Sequence, residues 1–166
     1  MDLPDSSSSF IKQAAKAAVG PPKIGALMRL PWEAVTHRIL EALHERGFDD
    51  IDAPQLSVLL WPGPQGMRPS DLAARIRVTR QALNYLLGDL ERLGYLERHP
   101  DPDDRRARRI ALTDRGLSLV PVIRNAVSEI EREWAEALGP ERFAVLRGLL
   151  LELNDVVAPE LSRDRT

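Results

Sequence analysis

The segment that most constrains the fold of this 166-residue chain runs from Asp101 to Gly116. A Pro/Asp turn leads into four arginines within five residues, then into a short β-prone run and a helix start. This pattern is typical of a basic β-hairpin attached to a helical domain. Because such a hairpin has few apolar residues to bury, its arginines are predicted to contact a partner outside the protein. These arginines are Arg105, Arg106, Arg108 and Arg109.

Composition excludes several classes of protein. The chain has no cysteine, which rules out disulfides, thiolate metal sites and cysteine redox sensing. No segment approaches the roughly 20 apolar residues that span a bilayer, and the start lacks the basic and apolar regions of a signal peptide. We therefore expect a cytoplasmic protein with no membrane partner. We also expect no cofactor and no metal, because His37 and His44 lack a third ligand at metal spacing. Without a nucleophile elbow or a phosphate loop, an enzyme is a remote alternative.

The distribution of charge is more informative than its total. The net charge is -2, yet residues 68–115 contain 11 Arg against 8 Asp plus Glu. A basic middle between acidic flanks has the sign expected for a DNA-facing segment on a non-binding scaffold.

Hydrophobic periodicity predicts a mainly α-helical chain with one hairpin. The predicted strands are Tyr95–Arg98 and Arg108–Leu112. The predicted helices are Ala26–Arg46, Pro54–Trp61, one from Pro69, one capped by Thr79, one from Thr113 to Leu138, and one from Glu141 to about Val156.

The two helices before the hairpin form a helix-turn-helix pattern. Pro69 suits the first position of a helix, and Thr79 can cap the next helix through its hydroxyl. Leucines from Leu83 to Leu93 form the buried stripe of that second helix. Its opposite face is left for the major groove, where Arg, Asn and Gln make bidentate bonds to base edges. The residues predicted to bind DNA there are Arg80, Gln81, Asn84 and Tyr85.

From about Pro69 to Gly116 the order and spacing of these motifs resemble the MarR family of bacterial regulators. The resemblance is carried by Arg68-Pro-Ser-Asp-Leu, Val78-Thr-Arg-Gln-Ala-Leu, Leu90-Glu-Arg-Leu-Gly-Tyr-Leu, Asp101-Pro-Asp-Asp-Arg-Arg and Ile110-Ala-Leu-Thr-Asp-Arg-Gly. The hairpin with its Leu-Thr-x-x-Gly sequence is the specific part, since a helix-turn-helix alone is common.

The resemblance implies a winged helix-turn-helix with a two-stranded wing, flanked by long dimerisation helices. It also implies a homodimer on a pseudo-palindromic operator, and repression relieved by a small ligand bound between the dimerisation helices and the winged domain. The expected organisation is a flexible tail over 1–9, N-terminal dimerisation helices over 10–53, the DNA-binding domain over 54–112, C-terminal dimerisation helices over 113–158, and a tail over 159–166.

The resemblance assigns roles within the wing as well. Family members pair an Asp with an Arg two positions later, which here are Asp104 and Arg106. Since residues two apart in an extended segment share a side, Asp104 is expected to orient Arg106 towards the minor groove. Arg105, Arg108 and Arg109 are expected to contact phosphates. The recognition helix departs from the family pattern at Tyr85, Gly88 and Asp89, so the resemblance does not assign an operator sequence.

One alternative function stays open, in which the winged helix binds an acidic protein partner and has no specific DNA site.

The role of the three tryptophans also stays open. Trp32, Trp61 and Trp134 fall near the elements that line the family's ligand pocket, although a tryptophan in a small helical protein more often belongs to a core or a dimer interface.

Overall fold

The computed structural model describes residues 21–62, 66–104 and 106–158, which form six helices and a two-stranded antiparallel sheet. The predicted fold class, a mainly helical winged helix-turn-helix, is confirmed. Its elements are α1 (Ile24–His44), α2 (Ala53–Leu59), α3 (Pro69–Ile76), α4 (Arg80–Arg92), β1 (Leu96–Pro100), β2 (Arg108–Leu112), α5 (Asp114–Leu138) and α6 (Pro140–Val157).

The chain divides after Ala34 into two compact units. Within the first unit, the start of α1 exposes the apolar side chains of Ile24, Leu27, Leu30 and Trp32. The second unit, from Val35 onward, contains the winged helix-turn-helix and both C-terminal helices.

The core of the second unit lies between the helix-turn-helix and the hairpin. Every element from the end of α1 to α5 contributes an apolar side chain, which is the burial expected from the leucine stripe of α4. Its most deeply buried members are Leu43, Leu56, Val58, Leu72, Leu83, Leu87, Leu90, Tyr95, Ile110 and Leu119.

Local side-chain chemistry sets the helix starts. The Oδ1 atom of Asp52 accepts a hydrogen bond from the backbone amide of Gln55, and the Gln55 side chain accepts one from the Asp52 amide, which completes a capping box for α2. Pro69 occupies the first turn of α3, and Thr79 caps α4, both as predicted.

The hairpin is longer on one side than predicted. Leu96 pairs with Leu112 and Pro100 with Arg108, so β1 extends two residues beyond Arg98. Tyr95 lies before the strand and is buried, because it packs into the core instead of joining the ladder. Met67 adds an isolated bridge to Ile110 on the other edge of β2, with an N–O distance of 2.9 Å from the Met67 amide.

The two C-terminal helices agree closely with the predicted intervals. The Thr113 hydroxyl accepts from the Gly116 amide at 3.1 Å and caps α5, which continues through Pro121 to Leu138. Helix α6 has no buried residue. Its exposed apolar side chains are Val145, Leu146, Leu149, Leu150, Leu151, Leu153, Val156 and Val157.

Candidate nucleic-acid interface

Helix α4 presents one buried and one exposed face, as the predicted recognition helix should. Its buried face holds Leu83, Leu87 and Leu90 in the core. The opposite face exposes the four residues predicted to bind DNA, with 73% of Tyr85 accessible. These four residues are Arg80, Gln81, Asn84 and Tyr85. The structure therefore places them together on one surface.

A shallow cleft of about 300 Å³ lies between the start of α3 and α4. Pro69 and Ser70 line one side, while Arg80 and Asn84 line the other above the buried Leu83. The Arg80 and Asn84 side chains thus stand beside a surface depression.

The tip of the wing carries exposed cations. Arg106 and Arg108 are both exposed. The Oδ1 atom of Asp104 accepts a hydrogen bond from the backbone amide of Arg106 at 2.9 Å. Asp104 therefore bonds the Arg106 backbone, and its predicted role in orienting the Arg106 side chain stays a prediction. Arg105, another predicted wing contact, lies outside the described residues.

A buried carboxylate at the base of the wing was missed by sequence reasoning. The side chain of Asp101 is fully buried, and its Oδ2 atom accepts from Nε of Arg68 at 2.6 Å and from Nε of Arg109 at 3.2 Å. Its Oδ1 atom accepts from the Asp103 amide at 2.9 Å. The Arg68 hydrogen bond, followed by that of the Asp103 amide, holds the pKa of Asp101 well below its usual range.

This cluster changes the role of one predicted residue. The guanidinium of Arg109 is held by Asp101 and lies 3.4 Å from the carbonyl oxygen of Gly66, so it serves the base of the wing. The phosphate contact predicted for Arg109 stays a prediction, since Nε is the nitrogen that bonds Asp101.

A second polar cluster connects the wing to α5. The Tyr95 hydroxyl donates to Oδ1 of Asp50 at 2.5 Å and accepts from Arg115 at 2.9 Å. The Arg115 guanidinium also bonds Oδ2 of Asp50 and the carbonyl oxygen of Leu93, and it stands 4.3 Å from the centre of the Tyr95 ring. Burial and the neighbouring Asp50 raise the pKa of Tyr95 to about 12.

The three tryptophans occupy different environments. Trp32 is exposed in the first unit, while Trp61 and Trp134 are half-buried in the second. The Arg75 guanidinium lies 5.4 Å from the Trp61 ring centre, a cation–π contact within the protein. Their predicted role in a ligand pocket stays a prediction.

Among the described residues, no group of three His, Asp or Glu side chains is placed to hold a metal ion. None of the helices in the described ranges is long and apolar enough to cross a membrane.

Comparisons with known proteins agree on one family. A sequence model of the MarR family matches residues 49–107, from the end of the first helical region to the wing. The HTH-type transcriptional regulator ML2140 of Mycobacterium leprae is 31% identical over 109 residues, which cover 63% of this chain and 76% of that protein. The transcriptional activatory protein BadR of Rhodopseudomonas palustris is 32% identical over 106 residues. That alignment covers 58% of this chain and only 59% of BadR.

Solved structures support the same assignment. The crystal structure of wild-type MarR from E. coli in its apo form superposes with a TM-score of 0.65 at 25% identity, covering 81% of this chain and 98% of that one. These relatives are transcription regulators and not enzymes. With the helix-turn-helix, the wing and the flanking helices all present, the chain belongs to the MarR family.

Proposed function

We propose that this protein regulates transcription by binding a specific pseudo-palindromic DNA site as a homodimer. The observation that carries the proposal is the exposed face of α4, where Arg80, Gln81 and Asn84 stand together beside a wing with exposed arginines. The guanidinium and amide side chains on that face have the donor and acceptor geometry that distinguishes base pairs in the major groove.

The wing supplies the sequence-independent part of binding. Arg106 and Arg108 carry exposed guanidinium groups on a hairpin whose base is held by the buried Asp101. Such cations bind phosphates and release counterions, and they also enter a narrow minor groove. In this chain the recognition helix has few cations, so the wing contributes a large share of the affinity.

A second copy of the chain would cover the apolar surface of α6. Eight apolar side chains of this helix are exposed, and no residue of the helix is buried. A soluble monomer rarely leaves so many apolar residues on one element. The proposed dimer would set its recognition helices about one DNA turn apart, roughly 34 Å, and would use residues 10–53 and 113–158 for association, with residues 54–112 binding DNA.

Ligand response and the sign of regulation complete the proposal. We propose a cytoplasmic repressor that a small molecule releases from DNA, with Trp32, Trp61 and Trp134 as candidate contacts. BadR, named as an activatory protein, is a relative of opposite sign. A promoter fusion carrying the selected site, assayed with and without the protein, decides between the two signs.

The decisive test is selection of bound duplexes from a random pool by the full chain. We expect a pseudo-palindromic sequence with half-sites about one helical turn apart, bound more tightly than random duplex, with an affinity that falls steeply with salt. A pool that yields no preferred sequence contradicts the proposal and favours a protein-binding winged helix, which a pull-down with acidic peptides at the same salt concentration would then test.

A further inference from the structure

The turn of the helix-turn-helix contains an arginine in an unusual backbone conformation. Arg77 has φ 54° and ψ 41°, the left-handed region, and it is the only non-glycine residue with positive φ in the described ranges. An L-residue with a Cβ atom is strained there, whereas glycine is not. The Arg77 amide donates to the carbonyl oxygen of Ala73 and ends α3, so the turn itself requires this conformation.

The side chain of Arg77 makes no contact among the described residues that would offset this strain. It is exposed, and its guanidinium has no hydrogen-bond, ion-pair or ring partner among the described residues. A glycine would satisfy the same turn without strain. Residues held in such sparsely populated backbone conformations cluster at functional sites.

The arginines near the predicted interface, Arg77 included, separate into two groups. One group is held within the protein by carboxylates or by the Trp61 ring, and it comprises Arg68, Arg75, Arg92, Arg98, Arg109 and Arg115. The guanidinium groups of the second group have no partner in the described part of the chain, and this group comprises Arg77, Arg80, Arg106 and Arg108. Arg77 is thus the one member of the second group that the sequence did not single out.

Its position places it at the entry of the recognition helix. Arg77 precedes the cap residue Thr79 by two residues and Arg80 by three. When the start of a recognition helix enters the major groove, the turn before it approaches the phosphates at the groove edge. We infer that Arg77 is a DNA-backbone contact that adds a cation to a recognition helix poor in them; this inference rests on the proposed function.

The test compares Arg77→Gly with Arg77→Lys in the full chain. The probes are a duplex selected by the wild type and a random duplex of equal length. Arg77→Gly is expected to bind both probes roughly five- to tenfold more weakly at about 150 mM salt, and the slope of log affinity against log salt should fall by about 0.9 for each phosphate that the variant no longer neutralises. Its melting temperature should rise by roughly 2–4 °C, because glycine relieves the strain.

Controls separate charge from fold and from the proposed function. Arg77→Lys keeps the charge and should retain nearly the wild-type salt slope, and Arg124→Gln, which removes an exposed cation from α5, should leave affinity and slope unchanged. If Arg77→Gly binds the selected duplex like the wild type, the inference is wrong while the proposed function stands. If the wild type binds neither probe, the proposed function and the inference are both wrong.

Discussion

At the scale of single residues, the end of the hairpin and the start of α5 are packed too closely for ordinary substitutions. A Cβ atom on Gly116 would lie 2.2 Å from the backbone oxygen of Tyr95 and 3.0 Å from a methyl of Leu112. The Thr113 hydroxyl, which caps this helix, also donates to the Gly94 oxygen at 2.5 Å. The Leu-Thr-x-x-Gly sequence is therefore explained by packing and capping within the domain, without reference to DNA.

Gly116→Ala is expected to destabilise the protein by about 2–3 kcal/mol, because the neighbouring atom is backbone and cannot rotate away. Urea denaturation at fixed protein concentration measures the change. Gly88→Ala is the matched control: nothing lies within 4 Å of its added Cβ, so the helix should gain up to about 1 kcal/mol. Equal stabilities for the two variants would contradict the close approach seen at Gly116.

Tyr95→Phe tests the buried hydroxyl. Losing the bonds to Asp50 and Arg115 should cost about 1–2 kcal/mol at neutral pH. The pKa of Tyr95 is raised to about 12 in the fold, so its stabilising contribution is complete below the unfolded value of about 10 and is lost as pH rises towards 12.

The stability of the wild type should therefore fall towards that of Tyr95→Phe between these pH values. Tyr85→Phe, at an exposed position, should change the free energy of unfolding at pH 7 by less than about 0.5 kcal/mol. A constant difference between wild type and Tyr95→Phe across the alkaline range would refute the buried-hydroxyl explanation.

At the scale of elements, the wing is a hairpin held against the start of α3 by an ion pair and a backbone bridge. Asp101 connects it to Arg68 at the start of α3, and the Met67–Ile110 bridge adds a third backbone segment beside β2. Gly66 permits this approach, since a Cβ there would lie 2.7 Å from the Ile110 oxygen. The wing arginines are consequently presented at a defined position relative to α4, which limits the ordering entropy of DNA binding.

Asp101→Asn should weaken the contact between the wing and the start of α3. We expect a fall of several degrees in melting temperature and weaker DNA binding, because Arg68 and Arg109 lose their shared carboxylate. Asp103→Asn, an exposed neighbour on the same turn, should leave both quantities unchanged.

The pH dependence has a defined sign. Because the pKa of Asp101 is lowered in the fold, its contribution is present above the unfolded value of about 3.9 and is lost as pH falls below it. The stability difference between wild type and Asp101→Asn should thus begin to shrink below about pH 4 and continue to shrink on further acidification. Thermal melts from pH 3 to 7 measure this, and a difference that grows on acidification would count against the assignment.

At the scale of the whole molecule, the described chain has a well-packed winged domain and a C-terminal helix that is apolar but exposed. The contrast lies between the fully buried Leu87 of α4 and Leu149 of α6, which is 58% exposed. Bundled helices bury such surfaces against another helix. The proposed homodimer accounts for it, and so stability and DNA binding should both depend on protein concentration.

Leu149→Asp is expected to shift the protein from dimer to monomer at micromolar concentration and to reduce operator affinity at least tenfold, because a carboxylate would be buried without a partner. Sedimentation and DNA titration measure the two effects. Asn154→Asp, which adds the same charge at a polar position of α6, is the control. A wild type that sediments as a monomer at this concentration would overturn the dimer.

Sequence reasoning recovered the elements that depend on local chemistry. Thr79 and Thr113 cap their helices through their own hydroxyls, Pro69 begins a helix, and the leucine periodicity of α4 predicts which face is buried. These features succeed because each depends on residues within one or two turns of each other. For the same reason the leucine periodicity alone identifies the exposed face of the recognition helix.

The tertiary structure alone decided which charged side chains form ion pairs within the protein. Arg68 and Asp101 are 33 residues apart, and Asp50 and Arg115 are 65 apart. With 29% of residues charged, the sequence allows many such pairs, and the packing of distant elements selects among them. The sequence by itself determined the family, the order of the helices and the basic wing; only the packed fold brought Arg109 to Asp101, buried Asp101 and left Arg77 exposed in a strained turn.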